Sequence, residues 1–157
     1  MNLLTRVLSC ELDAVRQRGF EQLERDGLLL RDLTRSTLRD IFRHVLKREA
    51  IYGSGRGFSK FVLRVVLAEH IEQSTLTIFH ESFVKPPMPG REAAALYAAY
   101  LAHGATAAVE AWLKLPVPRD EEMLLAVIEA MYPPWFAPDA PVRDYGADVR
   151  PRAAEKA

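Results

Sequence analysis

Residues 92–114 read EAAALYAAYLAHGATAAVEAWLK, and this run decides the fold. Between Glu92 and Glu110 it holds no acidic or basic residue other than His103, and alanine dominates it. Alanine has the best intrinsic helix propensity, and its short side chain lets a second helix approach closely, so the run reads as a helix buried over most of its circumference. Leu101, Gly104, Ala105, Ala108 and Trp112 recur at steps of three and four, a face of small residues closed by one large ring. Tyr97, Tyr100 and His103 lie to the side of that face, in position to line a cavity. A membrane span needs roughly 20 apolar residues. This run falls short of that and is broken by Thr106, His103 and two tyrosines, which argues against a membrane partner.

Working outward, 157 residues suffice for one domain with a real core, and the apolar and charged fractions are those of an ordinary globular chain. Twenty-one basic and 21 acidic residues balance to zero, so the whole molecule offers no electrostatic footprint for nucleic acid or anionic lipid. The single cysteine, Cys10, rules out an internal disulfide framework and cysteine-based zinc sites and fits a reducing compartment. The first residues lack the apolar run of a signal peptide, and a cytoplasmic location is expected.

Upstream of the central run, Leu4, Val7, Leu8, Leu12 and Val15 predict an amphipathic helix from Leu3 to about Arg25, stopped at Asp26-Gly27. Asp32, Thr34 or Ser36 caps a second helix carrying Leu38, Ile41, Phe42, Val45 and Leu46. Opposite that stripe, Arg31, Arg35, Arg39, Arg43 and Lys47 repeat every fourth residue. At 3.6 residues per turn such a ridge drifts by about 40° per step, so it spirals and reads as a solvated face rather than a phosphate-binding surface. The segment YGSGRGFSKF, Tyr52 to Phe61, lacks the glycine-lysine pair and leading strand of a phosphate loop and reads as a connector. From Phe58 apolar residues crowd into a helix buried on more than one side. Ser74 to Phe83 contains strand-favouring residues, but a single strand has no partner for its backbone groups, so the stretch reads as helix continuation or a second short helix.

Pro86, Pro87, Pro89 and Gly90 break the chain before the central helix, and Pro116 and Pro118 end it. Asp120 then caps a last helix, with Glu121 and Glu122 in its first turn and Met123, Leu124, Val127, Ile128 and Met131 on its apolar face. The fold class is therefore all-α, an antiparallel bundle of about five to six helices. A helical domain is expected over residues 1–134 and an extended or disordered tail over 135–157, with Trp135 and Phe136 able to pin to the body. Small-residue helix hairpins of this kind associate with their own copies as four-helix bundles about a two-fold axis, so a homodimer through the last two helices is expected.

No catalytic or metal motif is visible. His44, His70, His80 and His103 lack metal-ligand spacing, and neither His70-Ile71-Glu72 nor His80-Glu81 completes a helical zinc signature. Cys10 has no histidine partner nearby in sequence. Neither cofactor nor metal is called for, and the chain does not read as an enzyme.

The run YGSGRGFSKF, the proline-glycine break and then YLAHGATAAVEAWLKLPVPRDEEMLLAVIEAM together resemble the C-terminal effector-binding and dimerisation domain of tetracycline-repressor-like (TetR) transcriptional regulators. The matching features are Gly104 within the helix, Trp112 near its end, the loop Pro116 to Pro118, the acidic start Asp120 to Glu122, and the helix Met123 to Met131. Met1 falls about where that family's helix-turn-helix domain has already ended. The resemblance thus implies a sensor and dimer half that makes no direct contact with nucleic acid on its own. It further implies a pocket for a small apolar ligand, with Phe42, Leu46, Phe58, Val62, Val66, Tyr97, Tyr100 and His103 as candidate lining. Leu101, Ala105, Ala108, Trp112, Val127 and Met131 are the candidate dimer contacts. The rival expectations are a small helical enzyme or ligand carrier, and a purely structural dimerisation module.

Overall fold

Gly90 adopts φ 110°, a backbone state that side chains resist, and through it the proline-rich segment turns into the central helix. The computed structural model describes residues 3–26, 30–52 and 61–136, and every regular element among them is helical. In chain order these are α1 (Leu3–Asp26), α2 (Leu30–Lys47), the short α3 (Glu49–Tyr52), α4 (Ala68–His80) with a π-helical turn (Leu63–Leu67) leading into it, α5 (Arg91–Leu113) and α6 (Glu121–Ala130). A 3-10 turn, Pro134–Phe136, closes the described body. The all-α bundle anticipated from the sequence is what the chain forms.

The central helix α5 buries Ala98, Ala102, Ala105, Val109 and Trp112, at steps of four and three. Methyl side chains on this stripe let α4 lie close, and α4 is its most extensive neighbour. The anticipated face was centred about one residue away: Ala105 and Trp112 belong to the buried stripe, Leu101 and Ala108 flank it half-buried, and Gly104 is exposed. Thr106 is buried without penalty because its hydroxyl donates to the Ala102 carbonyl at 2.8 Å.

Leu8 and Leu12 of α1, Leu38, Ile41, Phe42 and Val45 of α2, and Val62, Leu63, Val66 and Leu67 at the π-helical turn meet Trp112, Leu124, Leu125 and Ile128 in one core. The wider π turn keeps the pairs Val62–Leu63 and Val66–Leu67 buried together, so this stretch is inward on more than one side. A smaller cluster of Ile78, Val84 and Phe136 lies beside it. Phe136 is buried, and Trp135 packs edge-on against Tyr97 with ring centroids 5.1 Å apart. The body therefore extends two residues past the boundary expected at 134. Residues 137–157 of the expected tail lie outside the described residues, as do 53–60 of the connector.

The turn between α5 and α6 is locked from several sides. The Trp112 indole donates to the Asp120 carbonyl at 3.1 Å, while the Asp120 carboxylate accepts from the Met123 amide at 3.1 Å and caps α6. Arg119 lies over the Trp112 ring at 5.6 Å, donates to the Leu113 carbonyl at 2.9 Å and pairs with Glu49 at 2.6 Å. Glu49 is held below the usual carboxylate range by that hydrogen bond. The arginine ridge of α2 is tied down in the same way. Arg35 reaches Glu122 at 3.0 Å and Glu129 at 3.3 Å, Arg39 reaches Glu122 at 2.7 Å, and Arg43 pairs with Asp40 at 3.2 Å. Arg35 and Arg39 thereby link α6 to α2, while the Arg43–Asp40 pair stays within α2.

Candidate functional site

The side chains of α1, α2, α4 and α5 do not quite meet where the two clusters adjoin. They leave a cavity of about 70 Å³, almost wholly apolar. Arg16, Gly19 and Phe20 come from α1, and Leu33, Thr34, Thr37, Leu38 and Ile41 from α2. Ile71, Ser74, Thr75 and Ile78 come from α4, Leu101 and Ala105 from α5, and Tyr132 and Phe136 close the end. Two of its hydroxyls are turned away from the space: Ser74 donates to the His70 carbonyl at 2.9 Å and Thr75 to the Ile71 carbonyl at 2.8 Å. What they leave facing inward is carbon, so the space favours an apolar occupant. Gly19 eases the close approach of α1 and α2, since a Cβ there would stand 3.1 Å from the Thr37 hydroxyl and 3.2 Å from a Leu33 methyl, tighter than ordinary contact.

Leu101, Ala105 and Tyr132 also form the floor of a second concavity, an open groove of about 550 Å³ between α5 and α6. Its walls are Tyr100, His103, Gly104 and Ala108 on one side and Val127, Ile128 and Met131 on the other. Tyr100 is 79% exposed and Met131 74%, and Leu96 and Met123 extend the same apolar surface. Cavity and groove thus share a wall. Burial, with the Glu129 carboxylate adding to it, pushes the Tyr132 phenol well above its ordinary range, so this part of the wall is uncharged.

The expected ligand set is not the set that lines the cavity. Phe42, Val62 and Val66 fill the main core, with Leu46 packed against it, and Phe42 lies 6.2 Å from the Trp112 ring. These large side chains converge as anticipated but occupy the space between them. Tyr97 is spent on Trp135, and Tyr100 and His103 face the open groove. Phe58 lies outside the described residues. Among the expected dimer residues, Leu101, Ala105, Ala108, Val127 and Met131 gather at the groove, but Trp112 is 3% exposed, held inside by Phe42 and the α5–α6 turn. The cavity residues are hidden in the sequence because Thr34, Thr37, Ser74 and Thr75 look like polar interruptions of apolar stripes. Their helical spacing with Leu38, Ile41, Ile71 and Ile78 is the signal that places them on the inner faces.

A polar cleft of about 330 Å³ opens between α1 and α4 next to the cavity. It is bounded by Ser9, Asp13, Arg16, Val66, Glu69, His70 and Gln73. His70 is buried there, and neither ring nitrogen has a hydrogen-bond partner. Burial lowers its pKa to about 4, with the Arg16 charge adding to the effect. His44, by contrast, sits against the Glu11 carboxylate at 3.3 Å, and Glu11 also takes Arg48; burial lowers the His44 pKa as well. Among the described residues no three metal-ligating side chains gather, and no helix is long and apolar enough to cross a membrane.

By architecture and site the molecule is an all-α bundle with a small apolar pocket that shares Leu101, Ala105 and Tyr132 with an exposed apolar groove. No family model, curated protein or solved structure matches the chain.

Proposed function

We propose that this chain is a ligand-sensing and self-associating domain of the kind that forms the C-terminal half of tetracycline-repressor-like regulators. The family link rests on the resemblance of the α5–α6 sequence. The functional reading rests on one observation, the wall of Leu101, Ala105 and Tyr132 shared by cavity and groove. A small apolar molecule in the cavity presses on the same residues that a second copy covers from outside. Its leverage equals its differential affinity for the two arrangements of that wall. The second copy is favoured as the occupant of the groove because α5 carries no acidic or basic residue between Glu92 and Glu110 except His103, and α6 offers Met123, Val127 and Met131 at steps of four. A face and its two-fold mate are the same face, so an uncharged apolar patch meets no like-charge repulsion. The pairing of Arg35, Arg39 and Arg43 with carboxylates supports a domain that leaves nucleic acid alone.

Native mass spectrometry on the purified chain tests this directly. The expected spectrum is a dimer carrying extra mass that is lost on denaturation. A monomer with bound mass would move the chain to the ligand carriers. A monomer without bound mass removes the sensor reading altogether.

A further inference from the structure

The groove between α5 and α6 is walled by small and apolar residues, and among the described residues His103 is its one imidazole. Histidine is the side chain that ordinarily gains or loses a proton between pH 5 and 8. Tyr100 and Tyr132 bring phenols to the same groove, a class of group that ionises well above neutral pH. From α6 the groove receives Val127, Ile128 and Met131, none of them charged.

No carboxylate lines the groove among the described residues. Along α5 the acids on either side of His103 are Glu92 and Glu110, about 16 and 10 Å away along the helix axis at 1.5 Å per residue. Glu110 faces Arg64 at 3.2 Å and Lys114 at 3.7 Å instead. On α6, Glu122 and Glu129 are drawn toward Arg35 and Arg39 of α2, and Glu121 is not part of the groove wall. The helix α4, packed on the buried side of α5, contributes nothing to the groove.

We propose that His103 makes the self-association of this domain acid-sensitive: two copies join through the groove with both His103 rings neutral, and acid separates them. This rests on the reading of the groove as the seat of a second copy, and adds how that pairing is regulated. A two-fold contact brings every residue in twice, so protonation places two positive charges in one apolar interface whose walls hold no acid to meet them. In the single chain His103 is exposed, and water accommodates the charge. The separated chains therefore bind two protons that the pair excludes, so falling pH favours separation and rising pH favours pairing.

Sedimentation velocity over a concentration series, run on the full chain at pH 7.5 and pH 6.0 and at fixed ionic strength, gives the dimer dissociation constant at each pH. Linkage allows up to about tenfold per proton per pH unit, so two histidines over this interval should weaken the wild-type dimer by about tenfold. His103→Gln keeps a neutral polar side chain, and its dimer should be equally tight at both pH values. That variant retains His44 and His70, so any acid effect passed through the fold persists in it. His103→Lys carries the charge at both pH values and should be monomeric at pH 7.5 where the wild type pairs. Circular dichroism checks that each variant is folded, as expected for changes at an exposed position. A wild-type constant that does not move, one that moves equally in His103→Gln, or a His103→Lys dimer as tight as the wild type overturns the proposal and leaves the dimer standing. A wild-type chain that is monomeric at both pH values and all concentrations removes the self-association reading, and the proposal with it.

Discussion

His70 couples the bundle to pH without any ligand. In the unfolded chain its imidazole takes up a proton near pH 6.5, whereas in the folded chain burial delays this to about pH 4. Between those values the unfolded state binds the extra proton, so stability is intact above about pH 6.5 and is lost as pH falls toward 4. At about 1.4 kcal/mol per unit, the change from pH 7 to pH 5 amounts to roughly 2 kcal/mol. His44, whose pKa burial also lowers, contributes in the same direction. Urea unfolding at the two pH values is expected to show this loss in the wild type and a much flatter dependence in His70→Leu. That variant should also be the more stable at pH 7, because it removes two unpaired buried nitrogens. Parallel pH profiles for the two proteins would refute the assignment.

At the helix ends, the start of α6 is where sequence and structure agree best, whereas α2 begins at Leu30, ahead of Asp32, Thr34 and Ser36, the residues expected to cap it. Asp120, Glu121 and the flanking prolines announce the start of α6, and the carboxylate does cap the Met123 amide. Capping is a local property of a few residues, so it is legible without knowledge of the fold. The end of α4 was harder to read, because Thr75, Thr77, Ile78 and Phe79 favour strands in isolation and only burial against α5 and Phe136 settles them as helix. That helix closes with the Phe83 amide donating to the Ile78 carbonyl at 3.1 Å and the Ser82 amide to the Phe79 carbonyl at 3.1 Å, a Schellman arrangement that requires a left-handed residue. Serine fills that position at φ 60°. Ser82→Gly should therefore relieve backbone strain and stabilise the protein by about 0.5–1 kcal/mol, less than the full left-handed cost because glycine is freer when unfolded. A raised midpoint in thermal unfolding checks this, and an unchanged or lowered one would show that Ser82 bears no strain.

For the molecule as a whole, composition and apolar spacing made the bundle legible, since each helix carries its own inner stripe. The cavity was not legible, because an unfilled space is a property of four helices at once. Periodicity can bring Phe42, Val62 and Val66 to one region but cannot say whether their side chains fill it, and here they do. The groove stood between these cases. Its residues are legible on α5 and α6, yet spacing alone does not fix the rotation of α5, and Trp112, expected at the groove, lies inside. The corrected outward face runs through Leu96, Tyr100, Gly104 and Ala108 on α5 and Met123, Val127 and Met131 on α6, so the association test belongs on its most exposed members. Tyr100→Glu and Met131→Glu each place a charge where the proposed interface is driest, while leaving the monomer's core alone because both side chains are mostly in solvent. Sedimentation velocity at a concentration where the wild type is dimeric should show each variant as a monomer, with helical content and monomer core intact by circular dichroism. Ala108→Arg, half-buried at the edge of the groove, should act in the same direction. Should all three variants sediment like the wild type, α5 and α6 do not form the dimer, and the wall they share with the cavity loses its role in signalling.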